Sequence, residues 1–318
     1  MSTEGGTKAV VAALLANTGI AVMKFLAFAL TGASSMLAEG IHSVADSGNQ
    51  ALLLLGGKRA KRAATPQHPF GYGRERYIYA FIVSIVLFSV GGLFALYEAY
   101  HKAHEVHEGL PNELLDGRWW WVAVVVLLGA IVMESFSFRT AIRESNRTRG
   151  SVSWVDYIRR AKSPELPVIL LEDFAALIGL VLALLGVGLT LLTDDGTWDG
   201  LGTIAIGLLL VCVAVVLAVE TKSLLLGEAA TPDAVRRIEA ALVADPSVRR
   251  VIHMKTLHLG PEELLVAAKI AVAPTDSAVE VAATIDAAEA RVREAEPIAR
   301  VIYLEPDIDR GQSTPATP

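Results

Sequence analysis

The chain has 318 residues, 53% of them hydrophobic, and a mean hydropathy of +0.47. Its 28 Lys and Arg against 34 Asp and Glu leave a formal charge of −6, which gives no basis for a nucleic-acid partner, and its single cysteine excludes a disulfide framework or a multi-cysteine metal site. The apolar residues gather in runs long enough to cross roughly 30 Å of hydrocarbon at about 20 residues each, so the chain reads as an integral membrane protein.

The segment Met1–Lys8 is short and weakly charged, and the long apolar run after it is followed almost at once by another, so it reads as a retained helix and not as a cleaved signal. Six spans are predicted: Ala9–Leu30, Ser34–Leu55, Tyr77–Tyr100, Trp119–Phe138, Pro167–Leu192 and Leu201–Leu225. An even number puts both termini on one side. Lys58, Arg59, Lys61, Arg62, Arg74 and Arg76 follow the second span, and Arg139, Arg143, Arg147, Arg149, Arg159, Arg160 and Lys162 follow the fourth. By the positive-inside rule these connections and both termini are cytoplasmic. The opposite connections carry Glu105, Glu108, Glu113, Asp116, Asp194, Asp195 and Asp199, and Trp119-Trp120-Trp121 suits an outer interfacial belt. Cys212, inside the last run, reads as a buried small hydrophobe.

After Gly227 the composition becomes that of a small soluble domain. Thr231 before Pro232 is an N-cap signal opening a helix to about Ala244. Strands are expected over Val248–Leu257 and Leu264–Val272 around a Gly260-Pro261 turn, then a helix over Ser277–Glu294 and a last strand over Ala299–Leu304. The fold class is thus an all-α six-helix membrane bundle plus a small cytoplasmic α+β domain of α-β-β-α-β, ferredoxin-like order. Residues 8–227 form the transmembrane domain, 228–306 the α+β domain and 307–318 a disordered tail.

The most informative residues lie within the second span. His42, Asp46 and Asn49 stand at i, i+4 and i+7, so they share a helical face, and ionisable groups at bilayer depth are functional candidates. Imidazole and carboxylate suit Zn²⁺ and other first-row divalent ions, but one helix leaves such a site half built. The fifth span offers Glu172 and Asp173, about 100° apart around the axis. Asp173 is the expected ligand, and Glu172 a ligand or a proton carrier. A structural ion pair between packed helices is the competing account of His42 and Asp46. Glu39 precedes His42 by nearly a turn and is assigned to the outer mouth or a neighbouring helix. Asn17, Glu98 and Glu134 are assigned to structural pairing and Lys24 to snorkelling, with their roles open.

Six spans, His42-Ser43-Val44-Ala45-Asp46, His68-Pro69-Phe70-Gly71-Tyr72-Gly73 before the third span and the small α+β domain together resemble the cation diffusion facilitator family. The segments from Ala38 to Gln50 and Leu171-Glu172-Asp173 are similar to its ninth zinc-transporter-like branch. The resemblance implies a secondary transporter, commonly a homodimer, that exports a divalent metal from the cytoplasm in exchange for protons. It implies a transport site of His42, Asp46 and Asp173. It implies no cofactor beyond the transported ion, Zn²⁺ first on family frequency.

The chain also departs from the commoner pattern of that family. Ile169 stands where many members have histidine, so Glu172, Asn49 or water is expected to complete the site, and an oxygen-rich set would favour Mn²⁺, Fe²⁺ or Co²⁺. Tyr72 replaces a second loop histidine and leaves His68 as a turn residue. The last strand lacks the histidine that several members use, so His253 and His258 are assigned to dimer packing. His101, His104, Glu105, His107 and Glu108 read as a solvated helix end. A membrane-embedded metal-dependent hydrolase and a non-transporting scaffold are the alternatives to transport, and His-Glu-x-x-His, one signal of the former, is absent. No targeting segment is visible, which points to a bacterial inner membrane.

Overall fold

The computed structural model describes residues 3–31, 34–108, 115 and 120–308. Glu113, Asp116, Trp119 and most of the expected disordered tail lie outside the described residues. The chain divides into two compact units, one made of residues up to Arg59 together with Glu75–Lys222, the other of Ala60–Arg74 together with residues from Ser223 onward.

In the first unit the apolar runs form long helices: α1 (Thr3–Thr31), α2 (Ser34–Arg59), α3 (Glu75–Glu108), α4 (Trp120–Arg149), α6 (Glu165–Thr193) and α7 (Thr197–Leu226), with a short α5 (Trp154–Arg160) between α4 and α6. Among the described residues α1, α3, α4, α6 and α7 are long and apolar enough to cross a membrane. The 26 residues of α2 would extend about 39 Å at 1.5 Å per residue, so its polar interior and not its length sets it apart.

α1 packs on α2, α4 and α6, while α3 lies against α2. Ala13, Ala80, Val83, Ala141, Val168 and Ile169 are among the fully buried core residues. Lipid gives helices no hydrophobic reason to associate, so close packing at small residues must hold them together. A Cβ on Gly56 of α2 would stand 2.7 Å from the Tyr79 Cβ of α3. One on Gly92 of α3 would stand 2.6 Å from Val211 of α7, and one on Gly207 of α7 2.8 Å from Leu96 of α3. Within α3, Leu87–Leu93 is π-helical, a local widening common at functional sites.

The basic segment after the fourth span is largely helix and not loop. α4 continues past Phe138 to Arg149 and carries Arg139, Arg143, Arg147 and Arg149 on its last turns. No proline or glycine lies between Phe138 and Arg149, Arg147 pairs with Glu144 at 2.8 Å, and Gly150 at φ +62° ends the helix in the left-handed conformation. Trp120 and Trp121 are exposed at its start, as an interfacial belt requires. Cys212 is exposed on α7 and not buried, because Val213, Ala214 and Leu217 occupy the bundle-facing side and turn it outward.

The second unit contains the expected α-β-β-α-β order: α8 (Pro232–Leu242), β1 (Arg250–Gly260), β2 (Glu263–Val272), α9 (Ala278–Ala295) and β3 (Ala299–Ile308). Thr231 caps α8 through the Ala234 N–H, and Ser277 and Glu280 form a capping box on α9. β2 is central, antiparallel to β1 and parallel to β3, which α9 makes possible by crossing over the sheet. Leu264, Val266, Ala268 and Ile270 alternate into a core with Ile238, Leu242, Ala288 and Val292. Asp307 and Ile308, expected to begin the disordered tail, belong to β3. Lys269 holds Glu305 and Asp307 at 2.9 and 3.4 Å, and the neighbouring carboxylates raise its pKa.

In the same unit, His68 sits in a tight turn, its N–H and carbonyl bonded to Thr65 and its ring packed edge-on to Tyr72 with the ring centres 4.7 Å apart. His258 is buried, with Nδ1 3.3 Å from the Gly260 carbonyl, while His253 is exposed.

Candidate functional site

The site starts from the polar stripe of α2. His42 and Asp46 meet one turn apart, Nε2 to Oδ2 3.7 Å, and both line a cavity of about 140 Å³ inside the helical unit. The π-helical part of α3 passes beside them, where a Cβ on Gly91 would lie 3.6 Å from the His42 ring. Further round α2, Asn49 and Gln50 are 1% and 0% exposed and point toward α6.

The neighbours Glu172 and Asp173 of α6 are both buried, and their angular offset sends them to different partners. Glu172 turns to α2, where Oε1 accepts from Asn49 Nδ2 at 2.9 Å and Oε2 from Gln50 Nε2 at 3.1 Å. Asp173 turns to α4, where Oδ2 accepts from Ser137 Oγ at 2.7 Å and Glu134 lies near enough to interact electrostatically. Asp46 lies near enough to all three acids to interact electrostatically with Glu134, Glu172 and Asp173. Carboxyl groups from three helices thus surround one region of the bundle.

Four oxygens there, Asn49 Oδ1, Gln50 Oε1, Glu134 Oε1 and Asp173 Oδ1, are buried with no hydrogen-bond partner among the described residues. A buried acceptor without a donor costs about 1–3 kcal/mol, so this is a place where a proton or a cation is favoured. The mixture of imidazole nitrogen and carboxylate oxygen suits first-row divalent ions. Among the described residues no three His, Cys, Asp or Glu side chains are already gathered closely enough to share an ion. The groups line the site without having closed on one point.

Toward one end of the helices the cavity continues past Lys24 and Glu98 to Lys102, Asp199 and Thr203. Lys102 bridges α3 and α7 through Asp199 at 2.8 Å. Lys24, assigned from the sequence to snorkelling, is 4% exposed and lines the cavity instead, because α1 is enclosed by α2, α4 and α6 on this face.

The remaining sequence candidates fall elsewhere. Ile169 is fully buried in the apolar core, so α6 has no donor one turn before Asp173. His101, His104 and His107 are exposed, and His104 pairs with Glu108 at 3.2 Å. Sequence reasoning missed Gln50 and Ser137 and left Glu134 without a role. Ser137 lies at i+3 from Glu134, a spacing that places both on one face of α4, and this was the available signal.

Among the described residues, long helices around an acidic cavity, followed by a small α+β domain, define a polytopic membrane protein. Residues 10–226 match the cation efflux transmembrane domain, and the chain belongs to this cation efflux family of integral membrane proteins. It is 33% identical over 273 residues to the mitochondrial proton-coupled zinc antiporter SLC30A9 of Xenopus laevis, covering 85% of this chain and 47% of that protein. It is 34% identical over 259 residues to the Homo sapiens protein of the same name, covering 81% and 44%. It is 28% identical over 263 residues to metal tolerance protein C4 of Arabidopsis thaliana, covering 82% and 56%. The chain spans about half the length of these curated relatives.

Proposed function

We propose that the protein is a secondary transporter that moves a divalent cation, Zn²⁺ first, out of the cytoplasm in exchange for protons. The observation that carries this reading is the buried pair Glu172 and Asp173 of α6 near enough to Asp46 of α2 to interact with it, where His42 and Asp46 line a cavity within the bundle and acceptor oxygens are left unpaired. The names of the relatives, proton-coupled zinc antiporters and a metal tolerance protein, speak for transport over hydrolysis.

In this reading His42, Asp46 and Asp173 take the ion, with Glu172 and Asn49 beside them. A carboxylate oxygen that accepts one hydrogen bond keeps a lone pair for a cation, so the Asn49 and Gln50 amides position Glu172 without using it up. The metal must displace protons from the imidazole and the acids, so ion occupancy and proton occupancy oppose each other at one site. A proton gradient can therefore drive metal release, provided the cavity opens alternately to the two sides. Residues 8–227 act as the transport domain and 228–306 as a cytoplasmic domain that packs two copies into a homodimer. The basic ends of the helices and both termini face the cytoplasm, in a bacterial inner membrane.

The test is Zn²⁺ flux in proteoliposomes with and without an imposed pH gradient. Gradient-driven flux is expected for the wild type and its loss for Asp46→Ala and Asp173→Ala. Unchanged flux in both folded variants would overturn the reading.

A further inference from the structure

Glu134 is the acid that the proposed site leaves without a task. It lies within α4, is 1% exposed, and lines the same cavity as His42 and Asp46. Its Oε1 has no hydrogen-bond partner among the described residues, and it lies near enough to interact electrostatically with Asp173, whose Oδ1 is unpartnered too. Two acids brought together in a buried place repel unless a positive species stands between them. Of the neighbouring donors, Ser137 Oγ holds the other oxygen of Asp173 at 2.7 Å, the Asn49 and Gln50 amides are turned to Glu172, and Lys24 lies near enough to attract Glu134 without bonding its Oε1. On α6 the position one turn before Asp173 is Ile169, buried among apolar side chains, so a further ligand has to come from another helix. α4 is the helix that Asp173 faces, and Glu134 is the acid that it presents there.

We propose that Glu134 Oε1 is a direct ligand of the transported divalent cation, so that the ion is held by α2, α4 and α6 together. The inference rests on the transport-site reading above and adds one residue and one helix to it. Ser137, at i+3 on the same face, serves as a positioning residue that orients Asp173. A ligand on α4 gives that helix a stake in the occupied state, because movement of α4 relative to α6 would then open the coordination sphere.

Co²⁺ binding to the purified full-length protein tests this, since its visible absorption band reports the ligand set. Competition with a chromophoric chelator supplies the affinity. Glu134→Gln keeps the shape but removes a charged oxygen ligand. It is expected to shift the band and to weaken Co²⁺ and Zn²⁺ binding at least tenfold, while Ser137→Ala weakens binding and keeps the band. An unchanged band in Glu134→Gln overturns the assignment, even where the affinity falls. Asp173→Asn separates the two readings: if it abolishes binding while Glu134→Gln keeps the wild-type band, the transport site stands and the Glu134 ligand does not. If the wild type itself binds no metal, the site reading fails first, and this inference with it. Should Glu134→Gln not fold, the structure of the Zn²⁺-loaded wild type gives the answer directly: a Glu134 oxygen about 2.0–2.2 Å from the metal supports the ligand, and one beyond about 3 Å refutes it.

Discussion

Replacing Asn49 with alanine isolates the contact that joins α2 to α6 at the site. Glu172 is 4% exposed and Asn49 1%, so water is a poor substitute for the amide that donates to Oε1 at 2.9 Å. Leaving that buried acceptor unsatisfied costs about 1–3 kcal/mol. Part of the loss is returned, because the variant also removes Asn49 Oδ1, itself buried without a donor. A net destabilisation of roughly 1–2 kcal/mol follows, a factor of about 5–30 in the folded-to-unfolded ratio. Gln50→Ala acts on the other oxygen of the same carboxyl group at 3.1 Å and is expected to cost a similar amount. The two variants share an acceptor, so their effects should depart from additivity by about 0.5 kcal/mol or more. Reversible unfolding of the purified protein in detergent supplies the measurement, with Glu172→Leu as the second background. Asn49→Ala should lose most of its cost where Glu172 is absent. An equal cost in both backgrounds would show that the hydrogen bond is not the source of the effect.

Other perturbations follow from the same contacts. The buried Arg76–Glu165 ion pair ties the first turn of α3 to the first turn of α6, so Arg76→Gln alone should cost about 3–5 kcal/mol in unfolding experiments, and Glu165→Gln added to it should recover part of the loss. Gly207→Leu drives a side chain into Leu96 and should destabilise the α3–α7 contact by about 1–3 kcal/mol, whereas Gly48→Ala, where a Cβ meets nothing within 4 Å, should be neutral or slightly stabilising by the same assay. Zn²⁺ affinity should fall as pH falls, because protons compete for the ligands, and binding in a weakly buffered solution should acidify it. Zinc binding with no proton release would contradict exchange at a shared site.

Much of the protein is legible in the chain because its signals are local. Long apolar runs dictate spanning helices wherever backbone groups must satisfy one another in lipid. The stripe His42, Asp46 and Asn49 follows from the 3.6-residue period of a single helix. The α+β order follows from Thr231-Pro232, the capping box at Ser277 and Glu280, and the alternation along β2. The tertiary structure decided what depends on how separate helices are rotated against each other. Adjacent Glu172 and Asp173 face different neighbours, Glu134 and Ser137 join the site from α4, Lys24 lines the cavity, and Cys212 faces outward. A period relates residues within one helix, but packing across interfaces, as at Gly56 on Tyr79 and Gly207 on Leu96, sets the angle between helices. That angle determines which buried acids meet.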